Sequence, residues 1–374
     1  MDPIAHTLVG AALAETGLKR LSRYATATLI IGANLPDIDI VAMFWSFDHS
    51  LYYRRGWTHG VLALLLLPLL LVGAIGLWHR WRGRRVQSDE SFRPGALLAL
   101  AFLAICTHPF LDWLNTYGVR LLMPFDERWF YGDTLFIVDP WLWLLAAAGV
   151  VIACSKSWPS ILAWLLLAVA ITVLMFETEF ATREVRIVWL VAVAVMVALR
   201  WRMTSQAATV TVARFSVALL MLYIGVVYGM ARTAENIAAE RHPTPIAAQS
   251  NPVFGRPSSQ RLVLVYDDHY RVIRADGGLY EVPRKTPDAI VEQAMASESI
   301  KGFVEWMRFP YWQVKETPDS FVISFWDLRY QGPDEPERGI GFVEVELPKK
   351  MFRRECRESA IVFDICLKLL PGPS

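Results

Sequence analysis

The chain has 374 residues, a net charge of +1 and a hydrophobic fraction of 54%, with a mean hydropathy of +0.33. Soluble domains hold roughly 45–50% apolar residues, so this composition favours a membrane protein whose main partner is the lipid bilayer. The balanced charge provides no long-range field that would attract a polyanion, and we expect no nucleic acid as a partner. Nearly all of the apolar excess lies before about residue 231.

Long apolar runs divide this N-terminal region. Most approach the roughly 20 residues that a helix needs to span a bilayer, although the first is short enough to be a re-entrant or tilted helix. We predict an all-α polytopic membrane domain over residues 1–231, with about seven to eight apolar helices. The runs lie at about 4–18, 24–45, 60–78, 95–112, 135–154, 158–176, 186–200 and 213–231.

The basic residues of the loops predict an orientation. With the N-terminus outside, the cytoplasmic loops hold about twice as many Lys and Arg residues as the outer loops, in agreement with the positive-inside rule. An even number of spans then returns the C-terminal part of the chain to the outer side. We therefore expect a periplasmic or otherwise extracytoplasmic C-terminal domain.

After the apolar region the composition changes. Residues 232–260 are rich in small residues and proline, which predicts a linker, and residues 261–374 predict a small soluble α+β domain. RLVLVYDDHYRVIRAD predicts two strands, FVISFWDLRY and IGFVEVEL predict further strands, and PDAIVEQAMASESIKGFVEWM predicts helix. In an oxidising compartment Cys356 and Cys366 could form a disulfide.

Three histidines and three aspartates lie at the ends of the first four apolar runs. On the predicted topology all six fall at the outer level of the membrane, although loop charges alone selected that topology. Ionisable side chains at membrane depth are energetically expensive, so their default interpretation is functional. Imidazole nitrogen and carboxylate oxygen are ligands of zinc and similar divalent ions. The predicted metal ligands are His6, Asp37, Asp39, His59, His108 and Asp112.

Each of these residues also has an ordinary structural explanation. His108 and Asp112 stand at i and i+4, so they could share a metal ion or simply pair with each other within a helix bundle. Asp37 and Asp39 could both reach a polar cavity, or they could be turn and capping residues. The two remaining histidines could be satisfied interfacial side chains. The metal interpretation therefore rests on the six residues jointly.

Two further groups of polar residues lie on the predicted outer side. Arg54 and Arg55 precede His59 against the general charge bias, so they could contact a phosphate or could be an interfacial snorkelling pair. Residues of the next outer loop could complete a second metal site, although most loop acids are merely solvated. These residues are Asn115, Asp126, Asp133 and Asp139.

The order of motifs resembles a known family. MDPIAHTLVG, NLPDID, RGWTHG and HPFLDWLNTYGV, followed by MPFDERWFYGD and FIVDP, look like the YdjM-like membrane-bound metal-dependent hydrolases of bacteria, over roughly the first 140 residues. The resemblance implies a multi-pass protein of the bacterial inner membrane. It also implies a distant similarity to zinc-dependent phospholipases C and P1-type nucleases, which are helical enzymes that cleave phosphoester bonds.

The resemblance implies a ligand order as well. It places Asp37 or Asp39 first, then His59, then His108 with Asp112, and it makes His6 a ligand of a neighbouring ion. The later histidine ligands of the soluble enzymes are missing, because no histidine occurs between His108 and His242. We therefore expect a mononuclear or dinuclear site rather than a trinuclear one.

The expected function is a membrane-embedded, zinc-dependent or similar metal-dependent hydrolase. Its substrate would be a phosphoester in a phospholipid or lipid-linked molecule at the outer face, and Asp37 and Arg55 are the candidate catalytic residues. One alternative is an ion-coupled or proton-coupled transporter, which the apolar stretch LALLLLPLLLVGAIG disfavours. The other is a non-catalytic membrane scaffold with a structural metal ion.

Overall fold

The computed structural model describes residues 1–82, 91–202, 206–242, 245–335 and 339–350. Two compact units are present. The membrane unit comprises Met1–Ile40, Arg54–Ala234 and Pro252–Gln260, and the sheet unit comprises Val41–Tyr53, Glu235–Asn251 and the chain from Arg261 onward. Cys356 and Cys366, for which a disulfide is predicted, lie outside the described residues.

Helices occupy each of the predicted apolar runs. The α-helices are α1 (Pro3–Glu15), α2 (Ala25–Asn34), α3 (Phe47–Tyr53), α4 (Val61–Arg82), α5 (Pro94–Trp113), α6 (Pro140–Cys154), α7 (Trp158–Glu177), α8 (Arg183–Arg202), α9 (Gln206–Arg241), α10 (Ala289–Met295) and α11 (Lys301–Trp306). Short 3-10 helices span Leu18–Arg20, Leu35–Phe44 and Gly339–Gly341. The 3-10 helix Leu35–Phe44, which has 10 residues, continues directly from α2.

Within the described residues, five helices are long and apolar enough to cross a membrane, so the expected count of seven to eight is not confirmed. Helix α1 has 13 residues and α6 has 15, which at 1.5 Å per residue gives lengths of about 20–22 Å against a hydrocarbon core of about 30 Å. Helix α8 carries charged residues at both ends. The five candidate spans are Ala25–Phe44, Val61–Arg82, Pro94–Trp113, Trp158–Glu177 and Thr209–Arg241.

Small residues allow α1, α2 and α5 to pack closely in the membrane unit. A Cβ atom added to Gly10 of α1 would overlap the carbonyl oxygen of Leu29 and lie 3.0 Å from Ala33 Cβ. Gly32 of α2 faces Ala104 of α5 in the same way. Membrane helices use small residues for close approach because lipid provides no hydrophobic drive for their association.

Two capping aspartates fix the start of α1 and of α6. Asp2 accepts hydrogen bonds from the backbone N–H groups of Ile4 and Ala5, each at 3.0 Å, and from Trp143 Nε1 at 3.1 Å. Asp139 accepts from the Leu142 N–H at 2.8 Å. Side-chain oxygens at these positions satisfy the free N–H groups of a first helical turn. The Asp2–Trp143 bond also ties α1 to α6.

The described residues after α9 form two β-sheets. Strands β1 (Ala247–Val253), β2 (Arg256–Val265), β3 (His269–Ile273) and β4 (Leu279–Pro283) form one sheet in that order. Strands β5 (Pro310–Glu316), β6 (Ser320–Asp327) and β7 (Phe342–Pro348) form the other. The predicted strand pair around Asp267 and Asp268 is confirmed as β2 and β3, and the predicted helical stretch forms α10 and α11.

The stretch 232–260, predicted to be a linker, holds regular structure. Helix α9 continues through it to Arg241, and β1 and the start of β2 follow. Alanine, glutamate and arginine in ARTAENIAAER are good helix formers, so small side chains there do not break the helix. The helix ends just before Pro243, which cannot donate the next backbone hydrogen bond.

Residues 41–53 form an excursion from the membrane-unit sequence into the sheet unit. The carboxylate of Asp48 in α3 accepts hydrogen bonds from the N–H groups of Gly302 at 3.0 Å and Phe303 at 2.9 Å. It thereby caps the start of α11, although about 250 residues separate the two helices in sequence. This contact explains why the short segment groups with the sheet unit.

We expect Gly10→Ala to destabilise the protein, because the added methyl group overlaps the Leu29 carbonyl and overpacking costs about 1–3 kcal/mol. Gly73→Ala in α4 is the matched control, since nothing lies within 4 Å of an added Cβ there. The measurement is thermal unfolding in detergent, with a lower Tm for Gly10→Ala alone. Equal Tm values for both variants would contradict the close packing of α1 on α2.

Candidate metal centre

Four separate segments carry the six predicted ligands to one place. Helix α1 provides His6, the 3-10 segment after α2 provides Asp37 and Asp39, the turn before α4 provides His59, and α5 provides the last two. Within the 3-10 segment, Asp37 is 9% exposed, whereas Ile38 is 56% exposed and Ile40 42%. The two aspartates therefore turn inward while the isoleucines between and after them turn outward.

A group of four residues within this cluster could hold a metal ion. One ligand atom from each of Asp37, His59, His108 and Asp112 lies within 4.8 Å of the others, and all four residues are buried. The Nε2 atoms of the two histidines are 3.1 Å apart. Asp112 Oδ2 lies 3.2 Å from His59 Nε2 and 3.5 Å from His108 Nε2, and Asp37 Oδ1 lies 3.6 Å from His108 Nε2.

These separations match the spacing of ligand atoms around a tetrahedral ion. With zinc–ligand bonds of roughly 2.0–2.1 Å, neighbouring ligand atoms in a tetrahedron are about 3.3 Å apart. The donor set of two imidazole nitrogens and two carboxylate oxygens also suits zinc and related divalent ions. The geometry and the chemistry of the four residues therefore both fit a metal ion.

Hydrogen bonds at the far side of each imidazole fix which nitrogen faces the centre. His108 Nδ1 lies 2.6 Å from the Ala33 carbonyl oxygen, to which it donates. His59 Nδ1 lies 2.9 Å from Thr58 Oγ1 and 3.4 Å from Asp39 Oδ2. Metal-binding histidines use such contacts to fix the tautomer, which leaves the Nε2 lone pair for the ion. Two lone pairs 3.1 Å apart repel unless a cation or proton lies between them.

Several buried polar atoms of the cluster accept or donate no hydrogen bond within the described part of the chain. Such atoms cost roughly 1–3 kcal/mol each when they are left unsatisfied. All of them are nitrogen or carboxylate oxygen atoms, which are metal-ligand types. They are both ring nitrogens of His6, Oδ2 of Asp37 and Oδ1 of Asp39, together with Oδ2 of Asp112, whose contact with Arg55 is an ion pair.

Arg55 is held by the protein at the edge of the cluster. Its side chain is buried, with Nε 3.1 Å from Asp112 Oδ2, Nη1 2.9 Å from Asn115 Oδ1 and its guanidinium over the Tyr117 ring at 4.4 Å. Its φ of 56° lies in the left-handed region, which is uncommon for a residue with a side chain. The amine of Met1 also contacts Asp112.

Arg54 has a different environment from its neighbour. Its side chain is 19% exposed and Nη2 lies 3.3 Å from Asp37 Oδ1. Its Nε atom lies 3.7 Å from Asp39 Oδ1 and has no hydrogen-bond partner among the described residues. Arg54 therefore retains donor capacity beside the cluster.

The remaining predicted residues divide into several roles. His6 stacks on the His108 ring, with centroids 3.7 Å apart, and its Nε2 lies 3.3 Å from Asp112 Oδ1, but it is outside the four-residue group. Asp39 is also outside that group and contacts His59. Both residues support ligands of the group.

The loop residues that were considered for a second site have different environments. Asn115 receives hydrogen bonds from Arg55 and from the Tyr117 N–H, and Asp126 pairs with Arg128 at 2.6 Å. Asp139 caps α6, and its burial raises the pKa of its carboxyl group to about 6. Asp133 is buried, with a positive φ of 45°.

Sequence reasoning missed two groups that position the histidines. Thr58 donates to Asp39 Oδ2 at 2.8 Å and contacts His59, and the Ala33 carbonyl orients His108. The hydroxyl next to His59 in GWTHG was a usable signal for Thr58. A backbone carbonyl leaves no signature in the residue sequence, so the Ala33 contact could not be predicted.

The match with a known family covers the segments that carry this cluster. Residues 1–181 match the YdjM inner membrane protein family. The family resemblance predicted from the motifs is thus confirmed, and together with the apolar helices it supports a membrane location. The similarity to phospholipases C and P1-type nucleases stays a prediction.

A relative in Bacillus subtilis (strain 168), described as uncharacterized protein YfhP, is 27% identical over 134 residues. These residues are 35% of this chain and 37% of the relative, so the chain spans just over a third of that protein's length. No solved structure matches the chain.

We expect the purified protein to bind a divalent transition-metal ion that is lost in a His59→Ala, His108→Ala double variant, because both Nε2 ligands are removed. The control is His49→Ala, which changes an exposed histidine outside the cluster. Metal content is measured by mass spectrometry after dialysis. Retention of the metal by the double variant would refute the assignment of these ligands.

Proposed function

We propose that the protein is a membrane-bound metal-dependent hydrolase that cleaves a phosphoester in a lipid or lipid-linked substrate at the outer membrane face. The observation that carries the proposal is the convergence of His59 Nε2 and His108 Nε2 on two buried carboxylates. Each imidazole is oriented by a separate acceptor on its other side. Such support is characteristic of metal-binding histidines.

The ion would be held by His59, His108, Asp112 and Asp37. When bound, zinc or a similar ion supplies a Lewis acid and lowers the pKa of a coordinated water to about 7. Asp37 also has a second carboxylate oxygen without a hydrogen-bond partner in the described residues. That oxygen is suited to orient the attacking water and to accept its proton.

The two arginines take different roles in this proposal. Arg55 is buried and contacts Asp112, Asn115 and the Gly118 carbonyl, so it positions a ligand carboxylate. Arg54 is the partly exposed cation beside Asp37, and its guanidinium is available to a phosphoryl oxygen. Guanidinium donors match phosphate geometry well. Of the two arginines for which a phosphate contact is predicted, Arg54 therefore takes that role in the proposal.

Exposed apolar side chains beside the cluster support a lipid-linked substrate. Ile38 and Ile40 are exposed next to Asp37 and Asp39 in the chain, and Trp57, two residues before His59, is 60% exposed. Tryptophan is enriched where protein meets the membrane–water interface. A substrate anchored in the bilayer would meet these side chains as it approached Arg54.

A metal-stabilised scaffold is the second candidate function. Four protein ligands complete a tetrahedral coordination, as in structural zinc sites, whereas catalytic zinc sites keep one position for water. If all four residues of the group bind the ion at once, the coordination holds no position for water. That arrangement favours a structural metal ion. Hydrolytic turnover distinguishes the two functions.

A transporter is less compatible with the packing of α1, α2, α4 and α5. A buried cluster of apolar residues joins these helices. A continuous ion path would need polar groups on these faces. The buried members are Ala14, Ala25, Leu29, Ala33, Leu71, Ile75, Leu97, Leu100, Ala101 and Ala104.

We expect the wild-type protein in mixed micelles to release phosphate or a phosphorylated headgroup from at least one phospholipid or isoprenyl phosphoester. A chelator should abolish this release and added zinc should restore it, because the water needs a bound ion to ionise near neutral pH. Product is measured by mass spectrometry. A full complement of metal without turnover of any such substrate would favour the scaffold.

We expect Arg54→Gln to lower kcat/KM by about 10²-fold, because it removes a hydrogen-bond donor to the negative charge that develops on the phosphoryl oxygens. Metal content and Tm should stay unchanged. Arg55→Gln should instead lower Tm and metal content, since it leaves the buried Asp112 without its cation. Arg128→Gln is the control at an exposed arginine. Equal activity of the Arg54 and Arg128 variants would refute the role of Arg54.

A further inference from the structure

A cleft of about 510 Å³ lies in the membrane unit between α1, α6, α7 and α8. Its volume falls in the range of about 300–1,000 Å³ that is typical of ligand pockets. Ile4 and Leu8 of α1 line one side, and Ala168 of α7 lies in the wall formed by the last two helices. The metal-site residues do not line it. We call it the α6–α8 cleft.

The lining of the cleft is hydrocarbon over most of its length. Ser155 and Arg200 are the two non-apolar residues among those that line it, and both belong to one end. Helix α7 is largely exposed elsewhere, with 6% of its apolar window buried inside the protein. Its Thr172 hydroxyl accepts a hydrogen bond from Trp189 Nε1 at 3.0 Å, which ties it to α8. Helices α7 and α8 therefore hold together while the cleft beside α6 stays unfilled by side chains.

The polar end of the cleft is positively charged and bordered by tryptophan. Arg200 Nε donates to Ser155 Oγ at 2.6 Å and to its carbonyl oxygen at 3.1 Å. Trp158 is 71% exposed and Trp201 is 82% exposed. Exposed tryptophans of membrane proteins lie at the headgroup level, so this end meets the interface. Lys156 adds a second positive charge next to Ser155 in the sequence.

We propose that the α6–α8 cleft binds an acyl chain of an anionic phospholipid, with the lipid phosphate at Arg200. The apolar walls match the acyl chain, and the basic end matches a negative headgroup. Basic pockets between membrane helices bind anionic headgroups in this manner. The site is independent of the metal centre and does not rest on the proposed hydrolase function.

The test uses the full-length protein in nanodiscs that contain phosphatidylglycerol with a photoreactive acyl chain. Cross-linked peptides are identified by mass spectrometry, and we expect them in α6, α7 and α8 at residues that line the cleft. Ala168→Phe fills the cleft and should remove this labelling. Ala170→Phe is the matched control on the same helix, since Ala170 is exposed and lies outside the cleft.

The headgroup is tested by competition with unlabelled phosphatidylglycerol or phosphatidylethanolamine. We expect the anionic lipid to compete better, and Arg200→Gln should reduce its advantage by about fivefold, the factor that one basic residue near an anionic lipid supplies. Arg202→Gln is the control. Equal competition by both lipids in the wild type would overturn the anionic-headgroup assignment.

Two results would overturn the lipid site as a whole. One is equal labelling of the Ala168 and Ala170 variants, which would mean that the label samples the outer helix surface only. The other is a protein–protein cross-link through cleft residues without lipid labelling, which would make a second copy of the chain the occupant. Intact folding of each variant is checked by gel filtration and Tm.

Discussion

The membrane unit is organised around a buried carboxylate, Asp112, that needs positive partners. Its side chain is inaccessible to solvent and lies beside His59, His108 and Arg55. An ionised carboxylate without such partners would be strongly destabilising in a low-dielectric interior. The helices and turns that supply these partners must therefore meet at one point, and their meeting brings the candidate ligands together.

The residues around Asp112 mainly fix the orientation of the candidate ligands and of Arg55. Asp39 and Thr58 hold His59, the Ala33 carbonyl holds His108, and Asn115 holds Arg55. Each contact restricts a side chain that would otherwise have several rotamers. A metal site assembled from restricted ligands loses less conformational entropy when the ion binds. The cluster is for this reason a better candidate for a metal centre than its residue types alone suggest.

A short segment of the chain next to the candidate ligands belongs to the sheet unit rather than to the membrane unit. The chain passes from Ile40 into residues 41–53, which belong to the sheet unit, and returns at Arg54. Asp39 lies two residues before the excursion begins at Val41, and Arg54 and Arg55 follow directly after it. The α3 helix in the excursion caps α11 through Asp48. Residues 41–53 are thus preceded by the segment that carries Asp37 and Asp39 and followed by the two arginines.

The apolar runs, the strand patterns and the six candidate ligands could be recognised in the sequence, because burial in lipid and side-chain alternation leave local composition patterns. Tertiary structure decided which helices are long enough to span the membrane, and it extended α9 to Arg241, into the stretch predicted to be a linker. It also gave different environments to residues of the same type that are close in the sequence. Asp37 joins the four-residue group while Asp39 supports His59, and Arg55 is buried while Arg54 is partly exposed. These differences depend on the backbone turn after Pro36 and on the left-handed φ of Arg55, which are set by contacts between segments distant in the sequence.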